Sequence, residues 1–463
     1  ARAHDKGIVF SLQKIFDYPT VRQLCDHMSD IDTDKVHYNP EDFMKYQELL
    51  AENVVDETFV PRKHSLGNIL LTGATGFLGA HVMDRLFREE TGKIYCLVRD
   101  GEGTEGRKRL QEILKYYFGE RYKTEFVEGA ENSGPVLKEG KSGGEIGTKV
   151  DYSRKIIPIV GDIESETLTE NMPKDVQTVI HTAASVKHYG SYEHFNRVNV
   201  EGTSHIVNYA KAVGARLIHI STLSVSGNSL TDEFAVYRSE EEKFFEETSL
   251  YIGQPLDNVY IRSKFEAELT VFDAMLAGVD AKIIRVGNLT SRTEDYKFQP
   301  NFKQNAFLTR FKALLEFGLF PDYMMPLYSE FSPIDLTAEG VVKIAQYAGR
   351  QTVFHLNSNR PVSVKHFLEI VRELGISAEV VDGDAFNQAL RKTLQNRATE
   401  YIFEAFQNDM DQQGKLLYDS NIHIHNDFTS WFLKKIGFEW NEIDREYIQG
   451  YVEYFRKNGY LKV

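Results

Sequence analysis

Two short stretches of this chain carry residues that can do chemistry together. Gly73-Ala74-Thr75-Gly76-Phe77-Leu78-Gly79 is a glycine-rich turn, and Tyr260-Ile261-Arg262-Ser263-Lys264 places a phenol and an ammonium at i and i+4. Residues at that spacing share one helix face. A free phenol titrates near pKa ~10, a poor match to neutral pH. A nearby ammonium stabilises phenolate and lowers that value. The pair therefore suits giving a proton to a carbonyl oxygen as hydride arrives. A third hydroxyl at a strand end, from Ser221 or Thr222, would hydrogen-bond the same oxygen and help bind developing charge.

The elements that position these groups are readable around them. Asn68-Ile69-Leu70-Leu71 is a short apolar run, as a buried parallel strand requires. Beyond Gly79, Val82, Met83, Leu86 and Phe87 recur at helical spacing. Strand, glycine turn and helix form the context in which a dinucleotide pyrophosphate binds. Gly73 and Gly76 let the backbone turn and approach the anion, and Gly79 lets helix and strand pack closely. Thr75, Phe77 and Leu78 are counted with the turn as cofactor contacts. The helix N-terminus then faces the pyrophosphate. The second apolar run, Lys93 to Val98, ends at Arg99. An arginine there accommodates the 2′-phosphate of NADPH, whereas an acidic residue would bind the ribose hydroxyl of NADH. Arg99 favours NADPH, with Arg109 as helper, and Asp100 pulls the other way.

The order of motifs resembles the extended short-chain dehydrogenase/reductases. It runs from the glycine turn through Asp162 of Gly161-Asp162-Ile163, His181-Thr182-Ala183-Ala184-Ser185 and Asn199 of Val198-Asn199-Val200-Glu201-Gly202-Thr203 to Tyr-x-x-x-Lys. The finer wording is similar to the terminal thioester reductase domain of nonribosomal peptide and polyketide synthetases. Leu97-Val98-Arg99, Val186-Lys187-His188, Ile220-Ser221-Thr222-Leu223-Ser224-Val225 and Gly437-Phe438-Glu439-Trp440 carry that likeness, which covers residues 66–463. Carboxylic acid reductases share the design. The resemblance implies NADPH as cofactor, touched by Asp162, Ile163, Ala183 and Ala184, with Lys264 on the nicotinamide ribose. It favours Thr222 over Ser221 beside Tyr260. It implies hydride addition to a carrier-bound peptidyl or acyl thioester, collapse of a thiohemiacetal and release of an aldehyde, with a second hydride giving the alcohol. Another reductase or epimerase of the superfamily, or an NADP-sensing protein without catalysis, are the alternatives.

Residues 11–24 are similar to the last part of an acyl or peptidyl carrier domain. Pro19 is a start signal, and Val21, Leu24, Cys25 and Met28 share a helix face. Residues 1–30 are expected to be a carrier-domain remnant without the phosphopantetheine serine motif, so the chain receives the substrate from an upstream carrier. The absence of a starting Met fits an excised, monomeric piece. Residues 31–65 are expected to be a surface linker with a helix near Glu41 to Asn53. Residues 66–290, with a returning segment near 335–357, alternate strands and helices as a Rossmann-like, doubly wound parallel α/β sheet does. Residues 291–334 and 358–463 are expected to form a smaller, mostly helical substrate subdomain.

Composition sets further bounds. A net charge of −14 argues against nucleic acid and anionic membranes as partners. Two cysteines exclude a disulfide framework. No signal peptide or long apolar run is visible, so a soluble, cytoplasmic protein is expected. Fatty acyl reductases add a membrane-associated tail, whereas Glu446 to Val463 is charged and aromatic. His423-Ile424-His425 offers two imidazoles and no third ligand nearby, so no metal is expected. Residues 128–149 read as an exposed loop. Arg238 to Thr248 reads as a solvated helix, and Leu230 to Gln254 as a candidate gate over the active site.

Overall fold

The apolar runs become strands, most of them buried on both faces. The computed structural model describes residues 20–26, 36, 38–90, 92–100, 105–119, 155–187, 190–227, 230, 244–302, 305–406 and 422–463. The loop at 128–149, most of the carrier-like segment and residues 231–243 of the gate candidate lie outside them. The described residues form a seven-stranded sheet: β1 (Ile69–Thr72), β2 (Ile94–Val98), β3 (Ile156–Val160), β4 (Thr178–His181), β5 (Arg216–Thr222), β6 (Ala281–Val286) and β7 (Val353–Leu356). Its order is β7-β6-β5-β4-β1-β2-β3, and every pairing is parallel. From β1 the chain winds outward to β3. It then crosses back to β4 on the other side of β1 and winds outward to β7. A crevice therefore opens at the carboxyl ends of β1 and β4, where Thr72 pairs with His181. In open α/β sheets ligands bind at such a reversal.

Alternation along the strands divides the core into two layers. Ile69 and Leu71 face a cluster with α1 (Phe77–Glu89), α2 (Gly106–Phe118) and α6 (Ile334–Tyr347). Leu70 faces the other, with α3 (Gly202–Val213) and α4 (Val259–Leu276). Cys96 is buried in β2, where desolvation pushes its thiol up to about 12, so it is inert.

Residues 38–53 are bound more firmly than a surface linker. They turn through 3-10 and α-helix from Pro40 to Leu50, near the expected helix. Phe43, Tyr46 and Leu50 are buried, and the Tyr38 and Tyr46 rings lie 5.3 and 5.1 Å from Phe265 and Phe272 of α4. The buried Asn53 amide accepts from Thr352 N at 2.7 Å and Val353 N at 3.0 Å, satisfying the start of edge strand β7.

Between β6 and α6 the chain makes an excursion closed at its base, where Leu289–Thr290 pairs with Ser332–Pro333. It contains α5 (Ala306–Phe317). Together with α7 (Val364–Glu373) and α9 (Arg445–Lys457), α5 builds a second core around Leu308, Leu368, Val371 and Tyr451. The expected boundary at 358–463 needs one correction. α8 (Asp427–Lys435) and the segment after it belong to the sheet's core. Phe428 and Phe432 pack tilted and edge-on against Phe354 of β7, at 5.6 and 5.1 Å between ring centres, because an edge strand buried on both faces needs a cover there. Among the described residues no helix is long and apolar enough to cross a membrane.

Candidate active site

The glycine turn sits at the crevice as its spacing requires. Gly73 has φ +72°, and a Cβ there would lie 2.5 Å from Thr182 Oγ1 and 2.7 Å from Ala183 N. Only glycine fits that approach. A Cβ at Gly79 would collide with the Gly73 carbonyl, so helix and turn touch backbone to backbone. A cleft of about 230 Å³ opens above. Gly73, Thr75, Gly76, Arg99, Arg109, Asp162, Ile163, Ala183 and Ala184 all line it. Phe77, Leu78 and Gly79 do not. Leu78 is buried in the sheet's core, and the Phe77 ring packs 4.9 Å from Phe298. A bare backbone floor at a helix N-terminus fits a dinucleotide pyrophosphate, and two guanidinium groups stand at the rim.

At that rim Arg99 lies 3.8 Å from Asp162 and 3.6 Å from Glu164, and is largely exposed. Arg109 Nη2 donates to the Arg99 carbonyl. Asp100 is engaged elsewhere: its carboxylate accepts from Gly106 N at 2.7 Å, at the start of α2. The competing acidic residue of the sequence is thus turned towards a helix.

Thr222 closes β5 and Tyr260 opens α4. The Asn258 side chain caps α4 by accepting from Tyr260 N at 3.0 Å and Ile261 N at 3.2 Å, which fixes Tyr260 in the first turn. The Tyr260 phenol lies beside the Thr222 side chain. Burial raises the phenol's pKa, and the Thr222 hydroxyl opposes the rise. Thr222 Oγ1 also accepts from Ser224 N at 3.2 Å. Ser221 Oγ, the other candidate, is buried without a partner.

Lys264 departs from expectation. The residue is 3% exposed, and its ammonium donates to the Ile220 carbonyl at 2.7 Å, with His219 Nε2 at 3.4 Å. Burial lowers its pKa to about 8. The reason is geometric: one helical turn puts Lys264 under β5, where a backbone carbonyl takes it. His219 and His181 lie beneath, with rings 5.4 Å apart. Burial, then Lys264, keeps both neutral, His181 at about 3.

The sequence names Asn199 and Ser185 only within the motif order and assigns them no part in the tie between the cleft and α4. Asn199 accepts from Ser185 N at 2.7 Å and donates to Ser263 Oγ at 2.9 Å. Ser263 in turn donates to the Tyr260 carbonyl at 2.9 Å. The loop after Ala184 is thereby fastened to the first turns of α4. Elsewhere, Phe244–Phe245 and His423–Ile424 form a short parallel pair rather than part of a solvated helix, and Phe245 and Glu247 are buried. Among the described residues no metal-binding cluster is present.

The family of NAD-binding domains described as male sterility protein matches residues 71–341, more than half of the chain. The chain belongs to this male sterility protein family. The family member is 31% identical, with a TM-score of 0.82, to a thiolation-reductase di-domain from an archaeal non-ribosomal peptide synthetase, covering 100% of this chain and 90% of that one. It is 26% identical, with a TM-score of 0.70, to the aureusimine biosynthetic cluster reductase domain, covering 92% and 100% of the two chains. It is 25% identical over 402 residues to a linear gramicidin synthase polypeptide of Brevibacillus parabrevis, covering 85% of this chain and 7% of that protein. The chain thus spans a small part of this curated relative. The match runs through both the cofactor cleft and the Thr222–Tyr260 pair of this male sterility protein fold, and makes it a reductase of the NAD(P)-dependent kind.

Proposed function

We propose that the chain is an NADPH-dependent thioester reductase that releases a carrier-bound acyl or peptidyl group as an aldehyde. The placement of Tyr260 beside Thr222, with the loop after Ala184 tied to the start of α4 through Asn199 and Ser263, is the observation that carries this reading. Gly73, Thr75, Gly76, Arg99 and Arg109 would hold a reduced nicotinamide dinucleotide in the cleft, and that group would supply hydride for the thioester carbon. Thr222 holds the carbonyl oxygen, and Tyr260 gives that oxygen its proton. The helix dipole at the start of α4 favours the phenolate left behind. The resulting thiohemiacetal then breaks its carbon–sulfur bond. Its hydroxyl proton passes to the departing thiolate, and the aldehyde is freed. Lys264, with its donors near the Ile220 carbonyl, is the group for the nicotinamide ribose, and Tyr260 regains its proton from solvent.

Arg99 and Arg109 at the rim, with Asp100 turned towards Gly106, support NADPH over NADH. Similarity over the whole chain to a thiolation-reductase di-domain supports residues 1–30 as the end of a carrier that presents the substrate. A carrier-linked acyl group offered in cis, at an effective concentration on the order of millimolar, should outpace the same group offered as a dilute free thioester. The test is incubation with NADPH and acyl-pantetheine thioesters, following cofactor oxidation and aldehyde formation. Reduction of free aldehydes or sugars in preference to every thioester would overturn the reading.

A further inference from the structure

Thr72 and His181 pair across β1 and β4 at the floor of the cleft, and one chain of hydrogen bonds runs through them. Ala183 N, on the cleft wall, donates to Thr72 Oγ1 at 3.2 Å. Thr72 Oγ1 lies 2.7 Å from His181 Nδ1, and His181 Nε2 lies 3.1 Å from Thr203 Oγ1 in the first turn of α3. Thr203 donates to the Asn199 carbonyl at 2.6 Å. Asn199 stands in a short π-helix, Asn196–Glu201, and its side chain makes the tie to Ser263 and the Tyr260 carbonyl. Thr72, His181, Thr203, Asn199 and Ser263 are all buried.

The protons of this chain have one arrangement. A hydroxyl carries a single hydrogen. That of Thr203 goes to the Asn199 carbonyl, so Thr203 Oγ1 accepts from His181, and the ring carries its hydrogen on Nε2. Burial holds the ring neutral, so Nδ1 is an acceptor and takes the hydrogen of Thr72. Thr72 keeps its lone pairs for Ala183 N. Every donor thus points from the cleft towards Asn199, and bonds aligned in that way strengthen one another. The imidazole spans the gap with an acceptor at one end and a donor at the other.

We propose that His181 is a positioning residue of the active site, with one ring nitrogen serving each half of it. Nδ1 fixes the Thr72 hydroxyl and through it the Ala183 amide, the group that the Gly73 turn approaches most closely from the cofactor side. Nε2 fixes Thr203 and the Asn199 turn, and through Ser263 the first turn of α4, which carries Tyr260. His181 itself does not line the cleft. The proposal rests on the reductase reading for its second half and goes beyond it in naming the group that keeps cleft and Tyr260 in step.

Two half-replacements separate the nitrogens. His181→Asn keeps an acceptor near the place of Nδ1 and loses Thr203. His181→Gln keeps a donor near the place of Nε2 and loses Thr72. His181→Gln should weaken NADPH binding about fivefold, by calorimetry, and hold kcat at saturating NADPH within about twofold. His181→Asn should do the reverse: kcat on an acyl-pantetheine thioester falls about fivefold, and the NADPH dissociation constant holds within about twofold. Hydrogen exchange on the intact chain reads the same split without substrate. Amides from Ala183 to Ser185 should exchange faster in the Gln variant, and those from Val259 to Lys264 in the Asn variant. Thr203→Val leaves the ring in place and should repeat the Asn pattern, and Thr203→Ser, which keeps the hydroxyl, should recover the loss. A histidine that only supports the fold would move both constants together. Kd and kcat that fall together in both half-replacements, or that stay unmoved in both, overturn the proposal. The split in NADPH affinity and exchange, with no thioester reduced by the unaltered chain, would leave the positioning role standing and remove the reductase reading.

Discussion

Gly73, Thr75 and Gly76 reach the cofactor cleft from a single turn, whereas Phe244, Phe311, Phe331, Phe367 and His423 reach an aromatic cavity from five separate segments. The cleft is small and floored by backbone. The cavity is large and walled by side chains. Backbone floors tolerate almost no change, since a single Cβ at Gly73 meets Thr182 and Ala183. Aromatic walls change by degrees, because removing one ring leaves its neighbours in place. The comparison teaches that the cleft is held by few, fixed backbone contacts and the cavity by many side chains that can change singly.

The most direct way to break this contrast is at Tyr260. Tyr260→Phe should cut turnover by ~10²-fold or more for every acyl group alike, with little change in NADPH affinity. NADPH depletion across an acyl series would measure this. A near-normal rate, or a loss confined to one acyl length, removes Tyr260 from its proposed part. Next comes Arg99. Arg99→Ala should weaken NADPH binding by roughly 2 kcal/mol, the scale of a lost charge-assisted contact, and leave NADH unmoved. Equal dissociation constants for both cofactors in the unmodified protein, by calorimetry, would sink the assignment.

The cavity should answer more softly. Phe307→Ala, in the cavity wall, should change NADPH affinity by about twofold or less, read by calorimetry, with the urea midpoint as the folding check. A larger loss would mean that the wall supports the cleft.

The smallest effect concerns pH and belongs to the cleft side. Lys264 is lowered from 10.5 to about 8 by burial. Below 8 the ammonium is charged in both the folded and unfolded chains, and folding bears its full desolvation. Between 8 and 10.5 the unfolded chain binds the proton and the folded chain does not, so this group adds stability as pH rises. A Lys264→Met variant should therefore gain most in urea midpoint relative to the native chain below 8, and the gap should close as pH rises. A gap that is flat or widens with pH would refute the depressed pKa.

Legibility follows the same division. The glycine turn and the return of Val353 to Leu356 to the sheet rest on local periodicity and fixed offsets, so the sequence displays them, whereas the choice of Thr222 over Ser221 beside Tyr260 rests on the family resemblance. Asn53 satisfies Thr352 across a separation of 299 residues, and no window of sequence records that. The sequence groups α8 with the substrate subdomain because its pattern says only that one face is apolar. Which surface it covers depends on β7 being an edge. Lys264 shows a further limit: spacing puts it on the face of Tyr260, but the Ile220 carbonyl above it decides where its ammonium points.

The short ladder of Leu289–Thr290 with Ser332–Pro333 makes residues 291–331 a loop pinned shut at its neck. Its ends meet whatever its contents, and lengthening such a loop costs only slowly in closure entropy. α5, with the aromatic wall it carries, is therefore a cassette. Insertions or whole exchanges between pinned ends would alter the aromatic wall while β6, α6 and the cofactor crevice keep their register. Diversity among such reductases has a ready-made place to accumulate, one excursion removed from the chemistry that all of them must preserve.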